Sequence, residues 1–166
     1  MVRDVFSNSS RDKYDVVINI FTSIGYFESE EKNLFFIRKL TNFVKPEGLF
    51  ILETINPLAV IRHYKENYDI SLSDGSKFYY EHYYDYKTAT SVERKKDVYA
   101  DGAVSKSINC IRLYYPHELI KIFHDLGYAN IKILNGDGNN VDILDSLRVW
   151  FVFKKHKNER RNIKNS

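Results

Sequence analysis

Two groups of side chains in this chain have types and spacing suited to chemistry. Arg112 and Tyr114 share a strand face by alternation, in the run R-L-Y-Y-P-H-E-L. A planar guanidinium there can hold an anionic group through paired hydrogen bonds, or it can pair with Glu118. Tyr80 and His82 share a face of a tyrosine-rich strand, where the imidazole can act as a base or be a half-exposed structural residue among rings. Asn19 closes an apolar run, a place for a ligand-facing amide and equally for a turn former. His63, His117 and His124 do not cluster as metal ligands would. No H-E-x-x-H, phosphate loop, G-x-S-x-G or paired-cysteine motif occurs in the sequence. Such a set can bind and can move protons, with no metal.

The elements that must position these residues follow from periodicity. Val16 to Phe21 is an almost unbroken apolar run, the pattern of a strand buried on both faces of a parallel sheet, and Leu49 to Thr54 repeats it. Between them Phe36, Ile37, Leu40, Phe43 and Val44 fall at helical spacing. This predicts a crossover helix from Glu30 to Val44, capped by Ser29 and stopped by Pro46. A short helix follows from Pro57 to Asn67, and 69–76 reads as a turn around S-D-G-S. Lys77 to Tyr86 alternates, and with Thr90 to Tyr99 and Lys106 to Tyr114 it predicts an antiparallel meander. Pro116 opens a helix that Gly127 closes. Ala129 to Leu134 and Leu147 to Phe153 then form two strands that pair antiparallel.

The string Asp15-Val-Val-Ile-Asn-Ile-Phe-Thr-Ser-Ile-Gly-Tyr-Phe27 resembles the second half of a class I S-adenosylmethionine-dependent methyltransferase. Lys45-Pro-Glu-Gly48, Glu53-Thr-Ile-Asn56, Arg112 to Leu119, Leu126 to Tyr128, Asn135-Gly-Asp-Gly138 and the closing strand Ser146 to Lys154 continue the resemblance in order. It is nearest to the small-molecule branch that includes amino-sugar N-methyltransferases. The fold it implies is α/β, a partial Rossmann-like sheet holding the later strands only, with an antiparallel insertion at about 68–114 of a domain spanning 1–155.

By this resemblance Asn19, Ile20 and Phe21 flank S-adenosylmethionine, while Ser23 and Tyr26 face the methyl group or a small-molecule acceptor. The ligand lies beyond the carboxyl ends of parallel strands, which adds Asn56 to the substrate side, with Tyr80, Arg112 and Tyr114 on the inserted sheet and His82 as candidate base. Methyl transfer is an in-line displacement, so the protein chiefly holds two groups in attack geometry. The family's G-x-G-x-G loop and its acidic residue for the ribose do not occur in the sequence. The expectation is therefore the carboxy-terminal half of a methyltransferase, its first strand left as an open apolar edge. A separately encoded amino-terminal half, a second copy in a homodimer, or a rearranged Met1 to Lys13 would cover it. The other reading is a non-catalytic methyltransferase-fold remnant that works through a partner chain.

Composition narrows the classes. The net charge of +3 conceals a tail: from Lys154 onward six Lys or Arg stand against one Glu, which leaves −2 for the rest. The folded part is not basic. The tail at 156–166 is expected to be disordered and dispensable for folding, and nucleic acid is not the expected partner. A single Cys110 excludes an internal disulfide, and no apolar run approaches the ~20 residues of a membrane helix. With charged residues rather than a signal sequence after Met1, a cytoplasmic protein is expected.

Overall fold

The apolar run after Tyr14 pairs with the run after Gly48, and every other feature is arranged around that parallel contact. The structure, a computed structural model, describes Val5 and residues 12–157. Within them β1 (Tyr14–Asn19) leads through α1 (Glu30–Thr41) to β2 (Val44–Ile55), its parallel neighbour. After α2 (Pro57–Arg62) come β3 (Asn67–Ser71), β4 (Lys77–Asp85), β5 (Thr90–Val98) and β6 (Val104–Arg112). The chain returns through α3 (Pro116–Asp125), β7 (Tyr128–Asn135) and β8 (Arg148–Lys155). Two four-stranded sheets result, ordered β1-β2-β8-β7 and β3-β4-β5-β6. The first is parallel at β1-β2 and antiparallel at β2-β8 and β8-β7, and the second is antiparallel throughout. This is the α/β partial sheet with an antiparallel insertion that the sequence implies.

The main core lies on one face of the first sheet. Register aligns Val17 with Phe50, Phe50 with Phe153 and Leu52 with Phe151, and α1 and α3 cover that row with Phe36, Ile37, Leu40, Leu119 and Phe123. Phe123 stacks on Phe153 at 3.9 Å between centroids and meets Phe50 at 5.0 Å. Buried rings of this size each remove a large apolar area from water. The opposite face carries Val16, Ile18, Ile51, Trp150 and Val152, and none of these belongs to the buried core.

Several boundaries differ from the sequence reading for identifiable reasons. Buried on both faces was the expectation for Val16 to Phe21, yet Val16 is 44% and Ile18 58% exposed, and the strand ends at Asn19 because Phe21 and Thr22 turn left-handed. Helix α1 ends at Thr41, not Val44, because the chain turns extended early enough for Tyr14 to donate to the Phe43 carbonyl and for Val44 to begin β2. Pro46 therefore sits inside β2, where the register with β1 shifts, and does not stop the helix. Gly48 belongs to this irregular stretch: a Cβ there would lie 2.8 Å from the Asp15 carbonyl oxygen.

Helix α2 stops at Arg62, short of Asn67, and the expected turn at 69–76 contracts to 72–76. The strand β3 was hidden by its polar composition, since only Tyr68 and Ile70 mark its alternation. The insertion accordingly spans 67–112. Strand β6 ends at Arg112, so Tyr114 lies beyond it and shares no strand with Arg112. The tail at 158–166 and most of the opening segment lie outside the described residues, so the readings made on them have no structural counterpart.

Candidate functional site

The loop between β1 and α1 passes from the carboxyl end of the parallel strands to the inserted sheet. Asn19 is 8% exposed at the end of β1, and its Oδ1 accepts no hydrogen bond from any described residue. A buried amide oxygen left without a donor costs about 1–3 kcal/mol, so a donor from outside the described residues is the natural partner. Ile20 and Phe21 follow, 37% and 77% exposed. Phe21 and Thr22 both adopt left-handed backbone, with φ of 60° and 52°. A hollow of about 270 Å³ opens beside them, walled by Ile20, Phe21, Glu53, Gly136, Arg148 and Trp150.

Sequence reasoning missed two residues that hold this turn. Glu53, on β2 and 4% exposed, accepts the Phe21 amide hydrogen at 2.6 Å and Arg148 Nη1 at 2.6 Å. Arg148, on β8, also reaches Thr22 Oγ1 at 3.1 Å. A carboxylate in the last third of an apolar strand was the available signal for Glu53. Arg148 has none in its local sequence. Ser23 turns its hydroxyl back to the Ile20 carbonyl at 2.8 Å, which stiffens the turn.

Farther along the loop lies a cavity of about 680 Å³ that Tyr26 and Arg112 both line, with Glu28, Glu30, Lys87 and Thr88 among its walls. Gly25 joins loop and sheet: its carbonyl accepts the Arg112 amide at 2.9 Å, and its φ is +105°. A Cβ at Gly25 would sit 2.2 Å from the Arg112 carbonyl oxygen, so this joint requires glycine. The buried Asn33 side chain accepts from the Gly25 amide at 3.0 Å and holds the other side of the loop.

Arg112 is not free to bind an anion. Its guanidinium pairs with Glu118, reaches the Leu113 carbonyl and lies 4.6 Å from the centroid of the Tyr114 ring. Burial opposes its charge, but Glu118 and then Glu30 outweigh that and hold its pKa above the ordinary guanidinium value. Tyr114 is a correction to the expected lining: at 2% exposed it stands behind the cavity and donates its hydroxyl to Glu30 Oε2 at 2.8 Å. Burial, then the Glu30 carboxylate, pushes its pKa well above the ordinary phenol, so it remains a donor at neutral pH. Glu30 is thus oriented through one oxygen at the cavity wall, a role its place in the first turn of α1 did not reveal.

Tyr80 and His82 are elsewhere. His82 lines a separate cavity of about 240 Å³ between α2 and the inserted sheet, shared with Tyr64, Tyr68, Tyr84 and Ser91. Its Nε2 is 3.1 Å from Glu93 Oε2, and Tyr68 stacks on Tyr80 at 4.6 Å. Asn56 is fully buried and fully employed: it caps α2 through the Leu58 amide and donates to the Ile143 and Ser146 carbonyls. It presents no group to a substrate. The sequence-derived residues therefore divide among a strand-end site (Asn19, Ile20, Phe21, with Ser23 in the turn), the 680 Å³ cavity (Tyr26, Arg112, with Tyr114 behind) and an aromatic cavity (His82, with Tyr80 in the same ring cluster). Among the described residues no group of His, Cys, Asp and Glu is placed to hold a metal, and no helix is long and apolar enough to cross a membrane.

No family model and no curated protein matches the sequence. The fold does match solved structures. The CcbJ methyltransferase from Streptomyces caelestis superposes with a TM-score of 0.77 at 17% identity, over 90% of this chain and 60% of that one. An S-adenosylmethionine-dependent methyltransferase from Clostridium acetobutylicum gives 0.75 at 14%, over 94% and 64%. CalS10, an amino pentose methyltransferase from Micromonospora echinaspora, gives 0.64 at 14%, over 92% and 63%. At these identities the likeness establishes the fold: the chain has the architecture of about 60% of the length of these methyltransferases.

Proposed function

We propose that this chain contributes the acceptor side of an S-adenosylmethionine-dependent methyltransferase acting on a small-molecule amine. The observation that carries the reading is the orphaned, buried Oδ1 of Asn19 at the carboxyl end of β1, the place where ligands of open parallel sheets bind. The residues present fit such a cofactor: a lone acceptor for its amino group at Asn19, and exposed apolar surface at Ile20 and Phe21 for its uncharged portion. When bound, S-adenosylmethionine supplies an electrophilic methyl group. The chain's own part is to receive the acceptor in the 680 Å³ cavity, with Tyr26 as an exposed wall and Glu30 as the group that takes a hydrogen bond or proton from the amine. Tyr114 keeps Glu30 oriented, and the Arg112–Glu118 pair leaves that wall without a free cation from Arg112. His82, in its own cavity, is left to a structural role beside Glu93.

The β1 edge, unpaired among the described residues, and the exposed Val16 and Ile18 support a further part of the reading: an additional α/β segment, in the same polypeptide or in another, completes the sheet and the cofactor site. The same exposed face favours the second reading, a fold that docks a partner chain or a second copy without catalysis. A cytoplasmic location accords with the exposed, unpaired Cys110. The test is transfer of labelled methyl from S-adenosylmethionine to a panel of amino sugars and other small amines by the completed protein. Transfer that falls ~100-fold in Glu30→Gln and is lost with cofactor binding in Asn19→Leu supports the proposal. Cofactor binding with no transfer to any amine would favour docking without catalysis.

A further inference from the structure

Two consecutive non-glycine residues in left-handed backbone are an unusual way to leave a strand, because each brings its Cβ against its own backbone. Phe21 and Thr22 do this where the strand-end site begins. Such a turn persists when its surroundings over-determine it. Here they do: the Phe21 amide is held by Glu53 from β2, the Thr22 hydroxyl by Arg148 from β8, and these two side chains are joined at 2.6 Å. Glu53 is buried while Arg148 is half exposed, so the clamp is anchored inside and closed from the surface. Both Glu53 oxygens are occupied, one by each partner. Three strands thus converge on two peptide units.

We propose that Glu53 and Arg148 are a positioning pair whose task is to hold the Phe21–Thr22 turn and so fix the strand-end site relative to the acceptor cavity. The turn is the hinge point between them: Asn19 and Ile20 stand before it, and the core residue Ile24 and Gly25, whose carbonyl accepts the Arg112 amide of the inserted sheet, come after it. If the turn relaxed to ordinary backbone, the chain direction between Asn19 and Gly25 would change while both ends stayed fixed. Phe21 would then leave the hollow it shares with Arg148 and Trp150. The consequence for a bound cofactor rests on the proposed function. The clamp itself does not.

The experiment is site-resolved amide hydrogen exchange on the purified chain. In Glu53→Gln and in Arg148→Ala, exchange at the Phe21 amide should quicken at least ~10-fold, with the core amide of Phe151 unchanged. Arg148→Lys should restore part of the protection, since an ammonium can reach Glu53. Adding Thr22→Gly to Arg148→Ala should slow Phe21 exchange again, because glycine adopts left-handed backbone without a clamp while Glu53 still accepts the Phe21 amide. A merely structural pair would not respond to that glycine. Unchanged exchange at Phe21, a change shared equally by Phe151, or no rescue by glycine would overturn the proposal. Should Glu53→Gln fail to fold, the partly exposed Arg148 carries the test with Arg148→Ala against Arg148→Ala/Thr22→Gly. Titration with S-adenosylhomocysteine decides the functional reading separately, since the clamp can hold its turn whether or not this ligand binds.

Discussion

The two faces of the first sheet are made of similar residues and meet different fates. On the face under α1 and α3, Phe50, Leu52, Phe151 and Phe153 are 0% exposed, whereas on the opposite face Val16 and Ile18 remain 44% and 58% exposed. Sequence composition does not distinguish them, because Val16 to Ile18 of β1 and Leu49 to Leu52 of β2 are apolar without interruption, as strands covered on both sides are. The difference teaches that burial follows the helices: α1 and α3 cover one face, and among the described residues no helix covers Val16 and Ile18 on the other, the face that the proposed additional segment would cover. The hollow of the strand-end site opens on that side: Glu53, Arg148 and Trp150 point there by register, with Phe21 beside them, whereas Asn19, in register with Leu52, points to the covered face.

Substitutions can sharpen this contrast. The largest effect is expected on the covered face, where Phe151→Ala should cost about 3–5 kcal/mol in urea unfolding and Ile18→Ser in the isolated chain less than ~0.5. Once a covering segment is bound, Ile18→Ser should cost about 1–3 kcal/mol. Equal losses at both positions in the isolated chain would remove the distinction. Gly25→Ala comes next, at about 2–3 kcal/mol, because it must adopt a positive φ and break the contact with Arg112. Its loss should be read at the joint between loop and insertion, as faster exchange of the Arg112 amide.

A smaller effect concerns pH. Burial raises the pKa of Tyr114, Tyr84 and Tyr128, with Glu30 adding to the first and Tyr115 to the second. The unfolded phenols lose protons near pH 10, before the folded ones, so the unfolded state is favoured as pH rises. Stability should be level below about pH 9 on this account and fall above about pH 10. Tyr128→Phe should flatten that fall, as measured by urea midpoints across the range, and an unaltered slope would show that Tyr128 does not contribute.

Much of the fold was legible because it rests on local pattern. Ser29 before two glutamates, Pro116 at a helix start and Gly127 at its end are each short-range signals, and α1 and α3 begin where these stand. The β4 alternation was equally plain. What escaped depended on partners remote in sequence. Glu53 and Arg148 meet across 95 residues, and nothing near either position announces the other. Tyr114 and Glu30 are joined across 84, which turned an expected cavity wall into a support behind one. Tyr26, assigned to the substrate side by resemblance, and His82, the candidate base, line different cavities.

The most direct measurement is calorimetric titration of S-adenosylhomocysteine into the 166-residue chain, alone and with an α/β segment that pairs with the β1 edge supplied in cis or in trans. The account predicts no binding tighter than about millimolar for the chain alone, binding in the micromolar range once the β1 edge is covered, and at least ~10-fold weaker binding in the completed Asn19→Leu protein. Micromolar binding by the uncovered chain, or full affinity in the completed Asn19→Leu protein, would contradict it.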